Sequence, residues 1–174
     1  MLIPPSDKLI AAVDSHYQDN YCCTAIVGFT DWGAETAVLE QTQVSGNSPE
    51  AYKPGQFYLR ELPLILEIIE PYLEEIEMII VDGYVWLGEE TKPGLGAYLY
   101  EALESQTPVI GVAKSFFSGS KCVEVLRGKS KRPLFVTSAG ISIEMASHYI
   151  ERMAGKYRIP TLLKRVDQLT KLRD

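Results

Sequence analysis

The apolar residues of this chain fall into two rhythms, short unbroken runs and longer stretches with helical spacing. Residues 9–13 (LIAAV) are an unbroken run that ends on Asp14. A run this short, bounded by polar residues, predicts a buried strand carrying a carboxylate near its middle or end. Gln18, Asp19 and Asn20 supply turn chemistry, and YCCTAIVGF over 21–29 predicts a second strand. Asp31, Trp32 and Gly33 make another short turn, and 35–44 predicts a third strand. Strands joined by such short turns are antiparallel neighbours, so the first third reads as a three-stranded meander.

Residues 45–55 (SGNSPEAYKPG) are dense in turn formers and predict a loop, with a short mixed segment over 56–61. From Leu62 the rhythm changes. Leu62, Ile65, Leu66, Ile69 and Leu73 lie at helical spacings, Pro63 suits a first turn, and Pro71 ends or kinks the helix. Its glutamates, Glu67, Glu70, Glu74, Glu75 and Glu77, read as a solvated face. Residues 79–81 (IIV) then form a second unbroken run ending in a carboxylate, Asp82, with Gly83 permitting a sharp turn. After a loop over 83–93, residues 95–105 predict an amphipathic helix and 108–112 (PVIGV) another buried strand. Strand, helix and strand at that spacing predict a βαβ unit with parallel strands.

Residues 118–133 predict a basic hairpin turning near Gly128, with a more buried second strand over 134–138. A helix over 142–154 follows, capped by Ser142 and ended by Gly155, and a last basic helix is predicted over 161–172. The elements add up to an α/β fold with a mixed sheet, an antiparallel meander followed by parallel strands, flanked by helices. Ribonuclease H-like nucleases share this plan and gather acidic residues from the first strand and a later parallel strand.

Composition changes this picture little. The length of 174 residues suits one domain over 1–174. No apolar run approaches the ~18 residues of a membrane span, and the N-terminal sequence lacks the features of a signal peptide, so a cytoplasmic protein is expected. The three cysteines, Cys22, Cys23 and Cys122, read as reduced thiols, and two histidines without a CxxC pair argue against zinc. A net charge of −6 argues against a non-specific nucleic-acid binder, but not against an acidic site that holds metal ions beside local basic residues.

The candidate chemistry is a carboxylate set. Asp14 and Asp82 sit on strands that can be neighbours, and Glu61, just before the predicted helix, is a third acid. Hard oxygen donors suit Mg²⁺ or Mn²⁺, with water and phosphate completing the shell. Such an ion serves phosphodiester hydrolysis.

Several segments carry a more specific signal. AVDSHY (12–17), AYKPGQFYLRE (51–61), IIVDG (79–83), GLGAYLYEAL (94–103), PVIGVAKS (108–115) and PLFVTSAGISIEMA (133–146) resemble, in order and near-matching spacing, the motifs of the endonuclease V family. YRIPTLLKRVDQL (157–169) resembles that family's final segment more loosely. These nucleases cut near deoxyinosine in DNA or inosine in RNA. The resemblance implies a metal-dependent endonuclease of DNA repair type, with Mg²⁺ or Mn²⁺ as cofactor and DNA or RNA as substrate. Asp14 and Asp82 match its metal-binding aspartates, Glu61 the acid that supports the metal and its water, and Lys114 the lysine beside the cleaved phosphate. Tyr52, Pro54 and Gly55 match the wedge loop that helps expose the lesion base, consistent with the need to unstack a base before reading it. Gly83 at the turn, and Lys121, Arg127 and Lys129 in the basic hairpin, complete the expected nucleic-acid contacts.

The chain also departs from the family pattern. Where the family has a turn rich in histidine and arginine after VDG, this sequence reads YVWLGEETKPGLG (84–96). SAGIS (138–142) likewise lacks the family histidine, leaving only His16 and His148 in the chain. His16 shares a strand face with Asp14. Loss of groups that assist phosphate positioning and acid–base steps leaves a second expectation open, a catalytically reduced protein that binds nucleic acid or a protein partner.

Overall fold

The computed structural model describes residues 8–18, 20–46, 58–88 and 92–171. The expected wedge residues Tyr52, Pro54 and Gly55 therefore lie outside the described residues.

The N-terminal meander comprises β1 (Leu9–Gln18), β2 (Tyr21–Phe29) and β3 (Leu39–Gly46). The next strand, β4 (Ile76–Asp82), pairs with β1 in parallel, and β7 (Val109–Ala113) pairs in parallel with β4. The antiparallel strands β8 (Val123–Val125) and β9 (Leu134–Ala139) complete a seven-stranded mixed sheet in the order β3-β2-β1-β4-β7-β9-β8. Two short strands, β5 (Trp86–Leu87) and β6 (Lys92–Pro93), form a separate ribbon inside the region expected to be a loop.

Alternation along the strands divides the core into two layers. Ile10, Ala12, Ile80 and Val112 face Ala146 and Ile150 of α3 (Ile143–Arg152) and Leu162 and Val166 of α4 (Thr161–Thr170). Ala11, Val13, Ile79 and Val81 face the opposite layer. There they meet Ile65, Ile68 and Ile69 of α1 (Tyr58–Ile69) and Ala97 and Leu99 of α2 (Leu95–Ala102). Burial on both faces explains why β1, β4 and β7 read as unbroken apolar runs.

The boundaries differ from the sequence reading in two instructive places. The first long helix starts at Tyr58 rather than Leu62, so Pro63 lies inside it and Glu61 falls in its first turn. Pro63 is exposed and is the sixth residue of the helix, past the first turn, so the helix forgoes one intrahelical hydrogen bond there. The helix ends at Ile69, and Pro71 is accommodated in a 3₁₀ turn, Glu70–Tyr72. The third strand begins at Leu39 rather than residue 35. The preceding chain folds across α3 instead, where Trp32 stacks on Tyr149 with ring centroids 4.5 Å apart. The expected caps of α3 hold. Ser142 caps α3 by accepting from the Met145 amide at 3.2 Å, and Gly155 follows that helix with a φ of +121°. Among the described residues no helix is long and apolar enough to cross a membrane, and Cys22, Cys23 and Cys122 are free thiols.

Candidate active site

The parallel register between β1 and β4 ends at Val13↔Val81, one residue before a carboxylate on each strand. Beyond that point β4 stops, while β1 continues beside β2 as far as Gln18↔Tyr21. The sheet therefore splits, and a crevice opens at the carboxyl end of β4. Asp14 shares the face of Ala12, and Asp82 the face of Ile80, so both carboxylates open towards α4. Gly83 turns the chain away from the sheet with a φ of +124°, its amide donating to the Val112 carbonyl at 2.9 Å.

Lys114 stands just past β7 on the same face as Val112. Its Nζ lies 3.7 Å from Asp82 Oδ2, and both side chains are half-exposed at the mouth of the cleft. Glu61 arrives from the opposite layer, at the first turn of α1. That turn is tied to β1 by Tyr17, whose hydroxyl donates to the Arg60 carbonyl at 2.5 Å and whose ring lies 3.7 Å beneath the Arg60 guanidinium. Asp14 and Asp82 line one cleft, whereas Glu61 lies outside its lining and reaches them only through its charge.

A further acid belongs to the site. Asp167 of α4 lines the same cleft as Asp14, Asp82 and Lys114. The sequence signal for it is faint: Leu163 and Val166 mark an apolar face nearby, but Lys164, Arg165 and Lys171 make the helix read as a solvated basic one. Gly111, inside the apolar run of β7, matters to the site as well. A Cβ there would lie 2.5 Å from the Gly83 carbonyl oxygen and 2.8 Å from the Val85 amide nitrogen, so only glycine lets the segment after Asp82 cross β7.

Electrostatics mark the cleft as short of positive charge. Burial, and then the Asp82 charge, push the Asp14 carboxyl up to about 7, against the bond it accepts from the Ser15 amide at 2.9 Å. Burial and Asp82 likewise push Glu61 up to about 7, with Arg60 opposing. Asp82 is raised mainly by burial, and Lys114 pulls it back down. Among the described residues no three His, Cys, Asp or Glu side chains converge closely enough to cage a metal ion by themselves. The donor set nevertheless suits Mg²⁺, which is commonly held by one or two carboxylates with water and substrate phosphate in the remaining positions. Carboxylates whose ionisation is suppressed by burial and then by one another are what a bound cation would relieve.

The expected nucleic-acid contacts separate into two groups. Lys121 and Lys129 are exposed. Arg127 is not available to a nucleic-acid backbone: it is buried and donates to the carbonyls of Met153, Gly155, Tyr157 and Arg158. Its guanidinium satisfies the irregular chain between α3 and α4, which has no helix or sheet ladder to do so. His16 lies on β1 opposite Cys23, and His148 is exposed on α3.

A mixed sheet flanked by helices, with aspartates at the parting of its first strand and a central parallel strand, defines an α/β fold of the ribonuclease H-like plan. Within that class the chain belongs to the endonuclease V family, whose model matches residues 3–129. It is 29% identical over 157 residues to an endonuclease V of Rhodospirillum centenum, a match that takes in 78% of this chain and 64% of that relative's length. The crystal structure of endonuclease V from Streptomyces avermitilis superposes with a TM-score of 0.77 at 25% identity, covering 97% of this chain and 82% of that one. Endonuclease V of Ciona intestinalis, solved with a 24mer DNA containing an inosine followed by a ribo-adenosine, superposes with a TM-score of 0.74 at 19% identity. That match covers 94% of this chain and 84% of the Ciona protein.

Proposed function

We propose that the protein is a divalent-metal-dependent endonuclease that hydrolyses a phosphodiester near deoxyinosine or inosine. The observation that carries this reading is the placement of Asp14 and Asp82 one residue past the last β1–β4 ladder pair, in one cleft, with Lys114 standing 3.7 Å from Asp82. Family membership supports it, as does the fold shared with a relative crystallised on inosine-containing DNA.

Asp14 and Asp82 would hold Mg²⁺ or Mn²⁺, with Glu61 and Asp167 bound directly or through water. Bound there, the ion would polarise the scissile phosphate and make an attacking water more acidic. The protein's own groups do the rest. Lys114 offers a cation at the cleft mouth, where a phosphate oxygen can replace Asp82 as its partner. Glu61, reaching the site from the first turn of α1, would hold the water for attack. Lys121 and Lys129 are free to contact the sugar–phosphate backbone.

The deciding experiment is cleavage of inosine-containing DNA and RNA with Mg²⁺ or Mn²⁺, wild type beside Asp82→Ala. The expected result is a metal-dependent cut on at least one substrate, lost in the variant. Binding without a cut on either would establish the reduced, binding-only protein instead.

A further inference from the structure

Where it is described, at 84–88 and 92–96, the segment that replaces the family's histidine-bearing turn is firmly built into the fold. Val85 is fully buried, and its amide donates to Thr137 Oγ1 at 2.8 Å. Trp86 Nε1 donates to the Ser138 carbonyl at 3.2 Å. Gly94 and Gly96 pack so closely on this segment that a Cβ would lie 2.5 Å from the Tyr84 carbonyl oxygen and 2.7 Å from Val85 Cγ2 respectively.

Tyr84 is the member of this segment that reaches outward. Its hydroxyl donates to the Ser115 carbonyl at 2.7 Å and accepts from the Phe117 amide at 2.9 Å. Its ring lies 6.1 Å from that of Phe117. One hydroxyl therefore spans from the loop after Asp82 to the turn after Lys114. From the other side, Arg158 Nη2 donates to the carbonyls of Lys114 and Pro133. Residues 114–119 are all exposed, so little core packing holds this turn apart from Phe116 against Phe135 at 5.6 Å. The polar ties set its course. With one donor and one acceptor site already engaged, the Tyr84 hydroxyl is poorly placed to shuttle protons.

We propose that Tyr84 is a positioning residue: its hydroxyl locks the 115–117 turn to the loop after Asp82 and thereby sets where Lys114 meets the substrate phosphate. The lysine head sits on a flexible stem, so its placement depends on the backbone from which it starts. The phosphate part of this inference rests on the nuclease reading; the tie between the two loops does not.

Tyr84→Phe removes the hydroxyl and keeps the ring. Two measurements test it. The first is amide hydrogen exchange in the full chain. The Phe117 amide is expected to exchange about tenfold faster in Tyr84→Phe, the effect of losing one hydrogen bond, with amides of β7 unchanged. The second is the single-turnover cleavage rate of an inosine-containing oligonucleotide with Mg²⁺, in wild type, Tyr84→Phe, Lys114→Ala and the double variant. Tyr84→Phe is expected to slow wild type by about 10- to 100-fold, the cost of a small misplacement of a site group, and to add nothing in the Lys114→Ala background. Unchanged exchange at Phe117 overturns the proposal, as does an equal loss of rate in both backgrounds. If wild type does not cut, the nuclease reading fails and the exchange result alone decides whether the tie exists.

Discussion

Val13 of β1 and Val81 of β4 are partners in a parallel ladder, and the residue that follows each is an aspartate. Asp14 and Asp82 therefore stand where the two strands part, on the face covered by α4. If this pair holds the cation, Mg²⁺ raises the melting temperature of the wild-type protein. The gain is about 2.7 kcal/mol at a concentration one hundred times Kd. Asp14→Asn and Asp82→Asn should each abolish the shift. A thermal shift that survives in both variants would place the cation elsewhere.

The raised carboxyls give the metal-free protein a defined pH dependence. Asp14 moves from 3.8 to about 7 on folding, and Glu61 from 4.5 to about 7. Between those values the folded state binds more protons than the unfolded one, so stability falls as pH rises. The contribution is complete below about pH 4 and is lost as pH passes through 7. Melting temperature without metal should therefore fall from pH 5 to pH 8 by more in wild type than in Asp14→Asn. With saturating Mg²⁺ the slope should flatten, because the cation favours the ionised forms.

Asp167 raises the carboxyls of both Asp14 and Asp82. Replacing it with asparagine removes a negative charge from the cleft, so both groups should ionise at lower pH. The acid limb of the pH–rate profile should then move to lower pH, while the maximal rate drops about 10- to 100-fold, the usual cost of disturbing a group that supports a metal site. A pH profile superimposable on wild type would remove Asp167 from the site.

Arg127 and Lys129 lie two residues apart and should behave in opposite ways. Arg127→Ala leaves several carbonyls without a partner in a buried setting, and should lower stability by about 3 kcal/mol. Lys121→Ala and Lys129→Ala should leave the melting temperature unchanged. Each should reduce the salt dependence of oligonucleotide binding, lowering the slope of log K against log salt by about 1. Denaturant titration and binding isotherms at several salt concentrations separate the two effects.

Much of this fold is visible in the chain itself. Unbroken apolar runs marked β1, β4 and β7 because strands buried on both faces cannot alternate with polar residues. The aspartates closing the first two of those runs were conspicuous for the same reason. The meander was readable from short turns, and Ser142 and Gly155 bracketed a helix through capping chemistry that acts within a few residues. The start of α1 differs from the expected Leu62 because Pro63 has the signature of a first-turn proline, whereas it sits in the sixth position of the helix.

What the sequence determined by itself was the identity of the strands, the acids they carry and the family motifs around them, all of which depend on short-range pattern. The meeting of Asp14 with Asp82, the arrival of Glu61 from the far layer and the addition of Asp167 from a helix that reads as solvated were decided by tertiary structure. So was the fate of Arg127, one of several basic residues in a hairpin until the chain between α3 and α4 folds over it. Tyr84 is the clearest case: its hydroxyl has no function within its own segment, and acquires one only because β4 and β7 are neighbours and the loops that follow them lie within hydrogen-bond reach. Periodicity reports which face a residue buries, whereas partners are set by strand register and helix packing between segments far apart in the chain.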